Sequence, residues 1–137
     1  MERRLNTRKK CLIIIPAFNE AENITKVIES LETPEISEIA DILVINDAST
    51  DDTSLIVKRT HHAMVTHVYN MGYGTALQLG YKYAVRRKYY YVIQMDADGQ
   101  HDPCNIRHIY DALITEDADG KTPDIVIGSR FVEGSKK

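Results

Sequence analysis

Cysteine is scarce in this sequence, with two residues in 137, and the spacing of Cys11 and Cys104 fits no metal or redox motif. A disulfide framework is therefore excluded, and a reducing cytoplasm is the expected location. Long apolar runs are also missing. None approaches the ~20 residues of a membrane span, and the first run stops at Pro16, too early for a signal-peptide core. With a net charge of only −3, we expect a single soluble globular domain over residues 11–137.

Basic residues are concentrated in two places. The first ten residues are predicted to form a solvated, flexible arm, and contact with an acidic membrane surface is the alternative interpretation. The second cluster, Arg86, Arg87 and Lys88, lies among tyrosines at the end of a predicted helix. Cations that face the dipole at a helix C-terminus explain this cluster, and the negative net charge agrees. No nucleic-acid partner is predicted.

Short apolar runs alternate with segments of helical periodicity along the whole chain. Strands are predicted at residues 11–15, 42–45, 63–68, 89–95 and 125–127. Asn19, with Glu22, is predicted to cap the first helix, and Asp102 the last. This alternation predicts a mostly parallel sheet with helices on both faces. Ligands bind such sheets beyond the carboxyl ends of the strands, where this chain concentrates its polar residues.

Two carboxylates, Asp96 and Asp98, directly follow the fourth apolar run. On an extended segment they point the same way and suit one hard cation such as Mg²⁺ or Mn²⁺. An EF-hand is a poor alternative, because loop positions six and twelve would be His101 and Arg107 instead of glycine and glutamate. The tetrapeptide Asp-Ala-Asp-Gly at residues 96–99 recurs at residues 117–120. No apolar strand precedes the second copy, and we interpret it as a solvated turn. A helix-capping turn is the alternative for the first copy.

Two further segments are candidates for ligand binding. Asp47 follows the second strand and could accept a hydrogen bond from a nucleobase or ribose, or residues 46–52 could merely cap the next helix. The loop at residues 70–76 could hold phosphate, but tight loop-to-helix packing is favoured. It lacks the third glycine of a dinucleotide site and the lysine of a P-loop, which argues against a dehydrogenase. The histidines show no ligand spacing.

Five motifs taken in order resemble family 2 glycosyltransferases with the GT-A fold, and especially the dolichol- or polyprenyl-phosphate mannosyltransferase and glucosyltransferase branch. They lie at residues 14–20, 44–51, 70–76, 95–103 and 128–131. The resemblance implies a Rossmann-like three-layer α/β sandwich that is cut short after the fifth strand. It implies inverting transfer of a sugar from a GDP- or UDP-linked donor to an acceptor such as a polyprenyl phosphate, with Mn²⁺ or Mg²⁺. It also implies a location at the cytoplasmic face of a membrane.

The resemblance also assigns roles to individual residues. It assigns catalysis to Asp96 and Asp98, and it assigns metal binding to these two residues and Gln100. Nucleotide-sugar binding is assigned to Pro16, Ala17, Phe18, Glu20, Asp47, Asp96, Ala97, Asp98, Gln100 and Arg130. Two positions depart from the family pattern, because Asn46 replaces a common aspartate and Tyr73 a frequent lysine.

The acceptor-binding part of the family is largely absent from residues 11–137. A donor-binding module without turnover is therefore the main alternative, and the incomplete cover of the sheet favours a homo-oligomer. A nucleotidyltransferase is a weaker alternative, because residues 16–20 do not form the glycine-rich, basic loop that it requires.

Overall fold

The computed structural model describes residues 9–99 and 102–121. The predicted fifth strand, Gln100 and Arg130 lie outside the described residues. Within them the chain alternates strands and helices in the order β1 (Cys11–Ala17), α1 (Ile24–Ser30), α2 (Pro34–Ser37), β2 (Ala40–Asn46), α3 (Thr53–Lys58), β3 (Ala63–Thr66), α4 (Tyr73–Arg86), β4 (Tyr91–Gln94) and α5 (Cys104–Ile114). Among these helices, none combines the length and the apolar character required to cross a bilayer.

The strands form one parallel sheet in the order β3-β2-β1-β4. The predicted α/β architecture is therefore confirmed, with β1 and β2 longer than expected and β3 and β4 shorter. The chain steps outward from β1 through β2 to β3, and then returns to the other side of β1 to form β4. The order thus reverses between β1 and β4. In open α/β sheets, the crevice at such a reversal is where ligands bind.

Alternate side chains of the central strand face opposite layers of the core. Ile13 and Ile15 belong to a cluster with residues of α1, α2, α3 and α5. Leu12 and Ile14 pack with α4 on the other face. Because both faces are covered, β1 is buried along its whole length, and this explains why it appears in the sequence as a continuous apolar run.

The buried face of α4 differs from the predicted one. Helical periodicity in the sequence predicts that Leu77, Tyr81, Ala84 and Val85 share one face of this helix, but Tyr81 is 42% exposed and Val85 is 77% exposed. Small residues take their place, because Ala76, Gly80 and Ala84 are the buried positions. A Cβ atom on Gly80 would lie 2.7 Å from two carbons of Ile14. The helix therefore lies close to the sheet because these side chains are small.

Two glycines of α4 provide a matched test of this close approach. Gly80→Ala is expected to lower the free energy of unfolding by about 1–3 kcal/mol, because the new methyl group overpacks the core against Ile14. Gly74→Ala, at a position with open space, is expected to raise it by up to about 1 kcal/mol through helix propensity. Urea unfolding of both variants measures the difference, and equal stabilities would contradict close packing at Gly80.

The prediction for the first helix was wrong at its start. Asn19 does not cap α1; it has a positive φ of 53°, and α1 begins at Ile24. The Asn19 Oδ1 atom instead accepts hydrogen bonds from the N–H groups of Thr50 at 2.7 Å and Asp51 at 3.3 Å. A short polar side chain tolerates this left-handed conformation, and here it joins the loops that follow β1 and β2.

The prediction for the last helix is close to the structure. The Oδ1 atom of Asp102 accepts a hydrogen bond from the Cys104 N–H at 2.9 Å. The helix α5 begins at that residue, with Pro103 just before it. Asp102 thus satisfies a backbone donor of the first turn, as the sequence suggested.

Candidate functional site

A cleft of about 610 Å³ lies at the carboxyl ends of β1, β2 and β4. The structure brings eight of the ten predicted binding residues together there, and the other two, Gln100 and Arg130, are outside the described residues. The cleft is lined by Pro16, Ala17, Phe18, Glu20, Asp47, Asn70, Gly72, Tyr73, Ala76, Asp96, Ala97 and Asp98. It therefore occupies the crevice at which the strand order reverses.

Hydrogen bonds hold the loop after β1 against the loop after β2. The N–H of Asn19 donates to Ser49 Oγ at 2.9 Å, and the N–H of Glu20 donates to Thr53 Oγ1 at 3.0 Å. The carboxylate of Asp51 accepts from the N–H of Ala21 at 3.1 Å. The Thr53 hydroxyl bonded to Asp51, together with the backbone N–H groups of Thr53 and Ala21, holds the pKa of the Asp51 carboxyl below its usual value. One wall of the cleft is thereby fixed in position.

Asp47 is buried and holds the segment that leads into α4. Its Oδ1 atom lies 2.8 Å from His67 Nδ1 and accepts from the Met71 N–H at 2.8 Å. Its Oδ2 atom accepts from the Gly72 N–H at 2.8 Å. Burial acts to raise the pKa of Asp47, but the hydrogen bonds from Met71, His67 and Gly72 outweigh it and lower the pKa. Both carboxylate oxygens are therefore engaged with the protein itself.

The sequence analysis did not predict this anchoring role for Asp47. It predicted either a hydrogen bond to a nucleobase or ribose, or a place in the cap of the next helix. The first N–H of α3 belongs to Thr53. It donates a hydrogen bond to Asp51 Oδ1 at 3.0 Å, and not to Asp47. The loop at residues 70–76, for which packing was favoured, contributes four residues to the cleft lining. Gly72 has φ +93°, a conformation that favours glycine, and the two glycines of that loop are the signal that could have identified it.

Asn46 occupies the position at which the family commonly has aspartate. It is buried, and its Oδ1 atom accepts a hydrogen bond from the Ser49 N–H at 3.1 Å. The amide thus closes the turn after β2 and adds no further negative charge beside Asp47.

Tyr73, at the start of α4, contacts the first of the two candidate metal ligands. Its hydroxyl donates a hydrogen bond to Asp96 Oδ1 at 3.0 Å. Burial, followed by this bond to Asp96, raises the pKa of Tyr73 to about 12. The phenol therefore stays protonated near neutral pH and fixes the orientation of the Asp96 carboxylate. The residue drew attention in the sequence only as a departure from the family pattern.

All the charged side chains in the described lining of the cleft are acidic. Glu20, Asp47, Asp96 and Asp98 contribute to it, and none of the described lining residues is lysine, arginine or histidine. Asp96 and Asp98 follow β4 one residue apart and both line the cleft, so they are the pair placed to hold a cation. Carboxylate oxygens are the ligands that Mg²⁺ and Mn²⁺ prefer. The residues present therefore fit a hard divalent ion.

The second copy of the four-letter motif forms an exposed turn, as predicted. Asp117 Oδ1 accepts from the N–H groups of Asp119 at 2.8 Å and Lys121 at 3.0 Å. The Gly120 N–H donates to the Asp117 carbonyl at 3.0 Å. This carboxylate closes its own loop, whereas the first copy lines the cleft.

A parallel sheet with a strand reversal and a cleft at its carboxyl edge defines an α/β protein with a GT-A fold. The chain belongs to the family described as Glycosyl transferase family 2, whose sequence profile matches residues 12–136. The resemblance seen in the sequence motifs is thereby confirmed.

Relatives of this chain include two bacterial enzymes and one archaeal structure. The undecaprenyl-phosphate mannosyltransferase of Micrococcus luteus is 34% identical, over 93% of this chain and 51% of its own. The polyprenol monophosphomannose synthase of Mycolicibacterium smegmatis is 33% identical, over 92% of this chain and 47% of its own. The mannosyltransferase PcManGT from Pyrobaculum calidifontis, solved with GDP-Man and Mn²⁺, shares the fold with a TM-score of 0.60 and 24% identity, over 80% of this chain and 34% of its own. The chain thus spans about half the length of the curated relatives named here.

Proposed function

We propose that this chain is the donor-binding domain of a glycosyltransferase that uses a nucleotide-diphosphate sugar and a divalent cation. The observation that carries the proposal is the four-carboxylate lining of the cleft at the strand reversal, without a basic side chain among the described lining residues. A diphosphate would be repelled from this cleft by like charges at short range. A cation between the carboxylates and the diphosphate removes that repulsion.

The proposed metal ligands are Asp96 and Asp98, with Gln100 as a further oxygen ligand. Mn²⁺ or Mg²⁺ fits this donor set. When bound, such an ion supplies Lewis-acid stabilisation of the leaving diphosphate. The residues of the chain position the reactants: Tyr73 orients Asp96, and the bonds between the loops after β1 and β2 fix the opposite wall.

The walls of the cleft suit the uncharged parts of a donor. Pro16 and Ala17 end β1 at the cleft, Ala97 lies between the two carboxylates, and Phe18 presents a half-exposed ring at the mouth. We assign the nucleobase to the side formed by Pro16, Ala17, Phe18 and Glu20. Asp47 contributes by holding Met71 and Gly72 in place, and Arg130 is proposed to approach the donor phosphates.

The proposed acceptor is a polyprenyl phosphate, and the names of the two bacterial relatives support this class. A phosphate monoester with a second pKa of about 6 is mostly dianionic at neutral pH. An acceptor oxygen of this kind attacks the anomeric carbon directly, the bond to the nucleoside diphosphate breaks, and the configuration inverts. Such an acceptor requires little help from a protein base. Its lipid would bring the protein to the cytoplasmic face of the membrane, where the basic residues 1–10 would favour an acidic surface.

A donor-binding module without turnover is the second candidate. It is favoured because the chain spans about half the length of its curated relatives. In that case acceptor binding and transfer would depend on a further segment or on another copy of the chain.

Calorimetric titration with GDP and with UDP, each with and without MnCl₂, tests the proposal. Binding of at least one of the two nucleotides is expected to depend on Mn²⁺, because the metal offsets the repulsion between diphosphate and carboxylates. Equal binding without metal, or no binding of either nucleotide, would contradict it. A product assay with a polyprenyl phosphate and the matching sugar nucleotide then separates the two candidates, since only the enzyme forms a glycosylated lipid phosphate.

A further inference from the structure

A second cluster of metal-binding side chains lies at the opposite edge of the sheet from the cleft. Glu32 follows the end of α1, and His61 and His62 immediately precede β3, at the amino end of that strand. Each residue offers one ligand atom, and these three atoms lie within 4.8 Å of one another. Glu32 is 30 residues from His62 in the sequence, so the fold brings it to the adjacent pair of histidines.

Part of the cluster is already held in place. The Nε2 atom of His62 lies 2.7 Å from Glu32 Oε2, and the His62 side chain is only 10% exposed. The His62 N–H donates to Thr60 Oγ1 at 3.2 Å. The ring of His61 lies against that of His62, with 4.0 Å between their centroids. His62 is therefore fixed by its neighbours, while His61 and Glu32 are exposed and can adjust.

We propose that Glu32, His61 and His62 bind one Zn²⁺ ion. Two imidazoles and a carboxylate form a donor set that Zn²⁺ takes in proteins, and nitrogen ligands distinguish it from the all-oxygen set of the cleft. Metal–ligand bonds of about 2.0–2.1 Å place tetrahedral ligands roughly 3.3 Å apart. The three ligand atoms lie within 4.8 Å of one another, and the exposed side chains of His61 and Glu32 would rotate to reach that spacing, with water as a further ligand.

An ordinary surface ion pair explains less of the arrangement. A pair between His62 and Glu32 uses two of the three side chains and gives the adjacent His61 no role in the cluster. A bound ion uses all three side chains. It would also tie the end of α1 to the turn before β3 and stabilise the folded chain by mass action.

Titration of the whole chain with ZnCl₂, without nucleotide, tests the proposal. The wild type is expected to bind Zn²⁺ at this site, and His61→Ala is expected to weaken the binding by about tenfold or more, because one ligand is lost. His108→Ala is the matched control, because His108 is an exposed histidine on α5 and its removal is expected to leave the affinity unchanged.

Equal Zn²⁺ affinity in the wild type and in His61→Ala would overturn the proposal, as would an equal loss in His108→Ala. Thermal unfolding distinguishes a loss of Zn²⁺ binding from a loss of the fold in His61→Ala. Metal-free His61→Ala is expected to unfold at the same temperature as the metal-free wild type, and the wild type should gain more stability from Zn²⁺ than the variant does. A gain of equal size in both proteins would place the ion elsewhere and refute the assignment.

Discussion

Asp98→Ala is expected to abolish the Mn²⁺-dependent binding of nucleoside diphosphate, with a loss of affinity of at least about 100-fold. Mutation of residues that merely support metal ligands already costs 10–100-fold, and Asp98 is proposed to be a ligand itself. Its side chain is exposed at the cleft, so its removal should leave the fold intact. Calorimetry with nucleotide and MnCl₂ measures the loss, and circular dichroism checks the fold.

The chain contains its own control for this experiment. Asp119 occupies the corresponding position in the second copy of the motif, which is an exposed turn. Asp119→Ala is expected to bind nucleotide and Mn²⁺ as the wild type does. Equal affinities in Asp98→Ala and the wild type would refute the metal assignment, and an equal loss in Asp119→Ala would mean that overall negative charge, not the position at the strand end, governs binding.

Asp47→Ala is expected to destabilise the protein by about 2–4 kcal/mol, because leaving one buried donor unsatisfied costs about 1–3 kcal/mol. The substitution removes the acceptor for the Met71 and Gly72 N–H groups and for His67. Nucleotide binding should weaken as well, since the start of α4 loses its anchor. Asp52→Ala, in the same loop but exposed and without a side-chain cap bond, should change stability by less than about 0.5 kcal/mol. Similar urea midpoints for the two variants would contradict an anchoring role.

The pH dependence of stability follows from the same carboxylate. Its hydrogen bonds hold the folded-state pKa below the ordinary value of 3.8, so the unfolded chain binds the proton more readily. The stabilisation is complete at pH values above the ordinary pKa and is lost as the pH falls through the lowered one. The stability difference between the wild type and Asp47→Asn should therefore shrink below about pH 4, and a difference that grows on acidification would contradict the assignment.

The fold could be predicted largely because β1 and β2 are covered on both faces. Burial on two sides leaves an unbroken apolar run, so both strands were recognisable. The start of α1 was not, because Asn19 has the residue type of a helix cap but binds across to Thr50 and Asp51. The face of α4 was misassigned because large apolar residues dominate a periodicity analysis, whereas close approach to Ile14 selected Gly80.

The residues of the cleft that lie at the carboxyl ends of strands could be predicted from the sequence. Parallel strands bring their carboxyl ends to one edge, and that rule favoured Asp96 and Asp98 over the identical letters of the later turn. The partners of Asp47 could not be predicted, since they depend on the path of the loop from His67 to Gly72. The same loop places Tyr73 against Asp96, a contact that no local pattern encodes.

The pairing of β1 with both β2 and β4 has a consequence for the order of folding. Cys11 pairs with Ala40 on one side and with Tyr91 on the other. The chain segment closed by the pairing of Cys11 with Tyr91 is more than twice as long as the segment closed by its pairing with Ala40. Its closure therefore costs roughly 1 kcal/mol more in chain entropy. Within the described residues β4 also forms the shorter ladder, from Cys11↔Tyr91 to Ile14↔Gln94. We therefore expect β4, which leads into the acidic pair, to join β1 after β2 does, and a ligand bound to this pair would stabilise the pairing of β4 with β1.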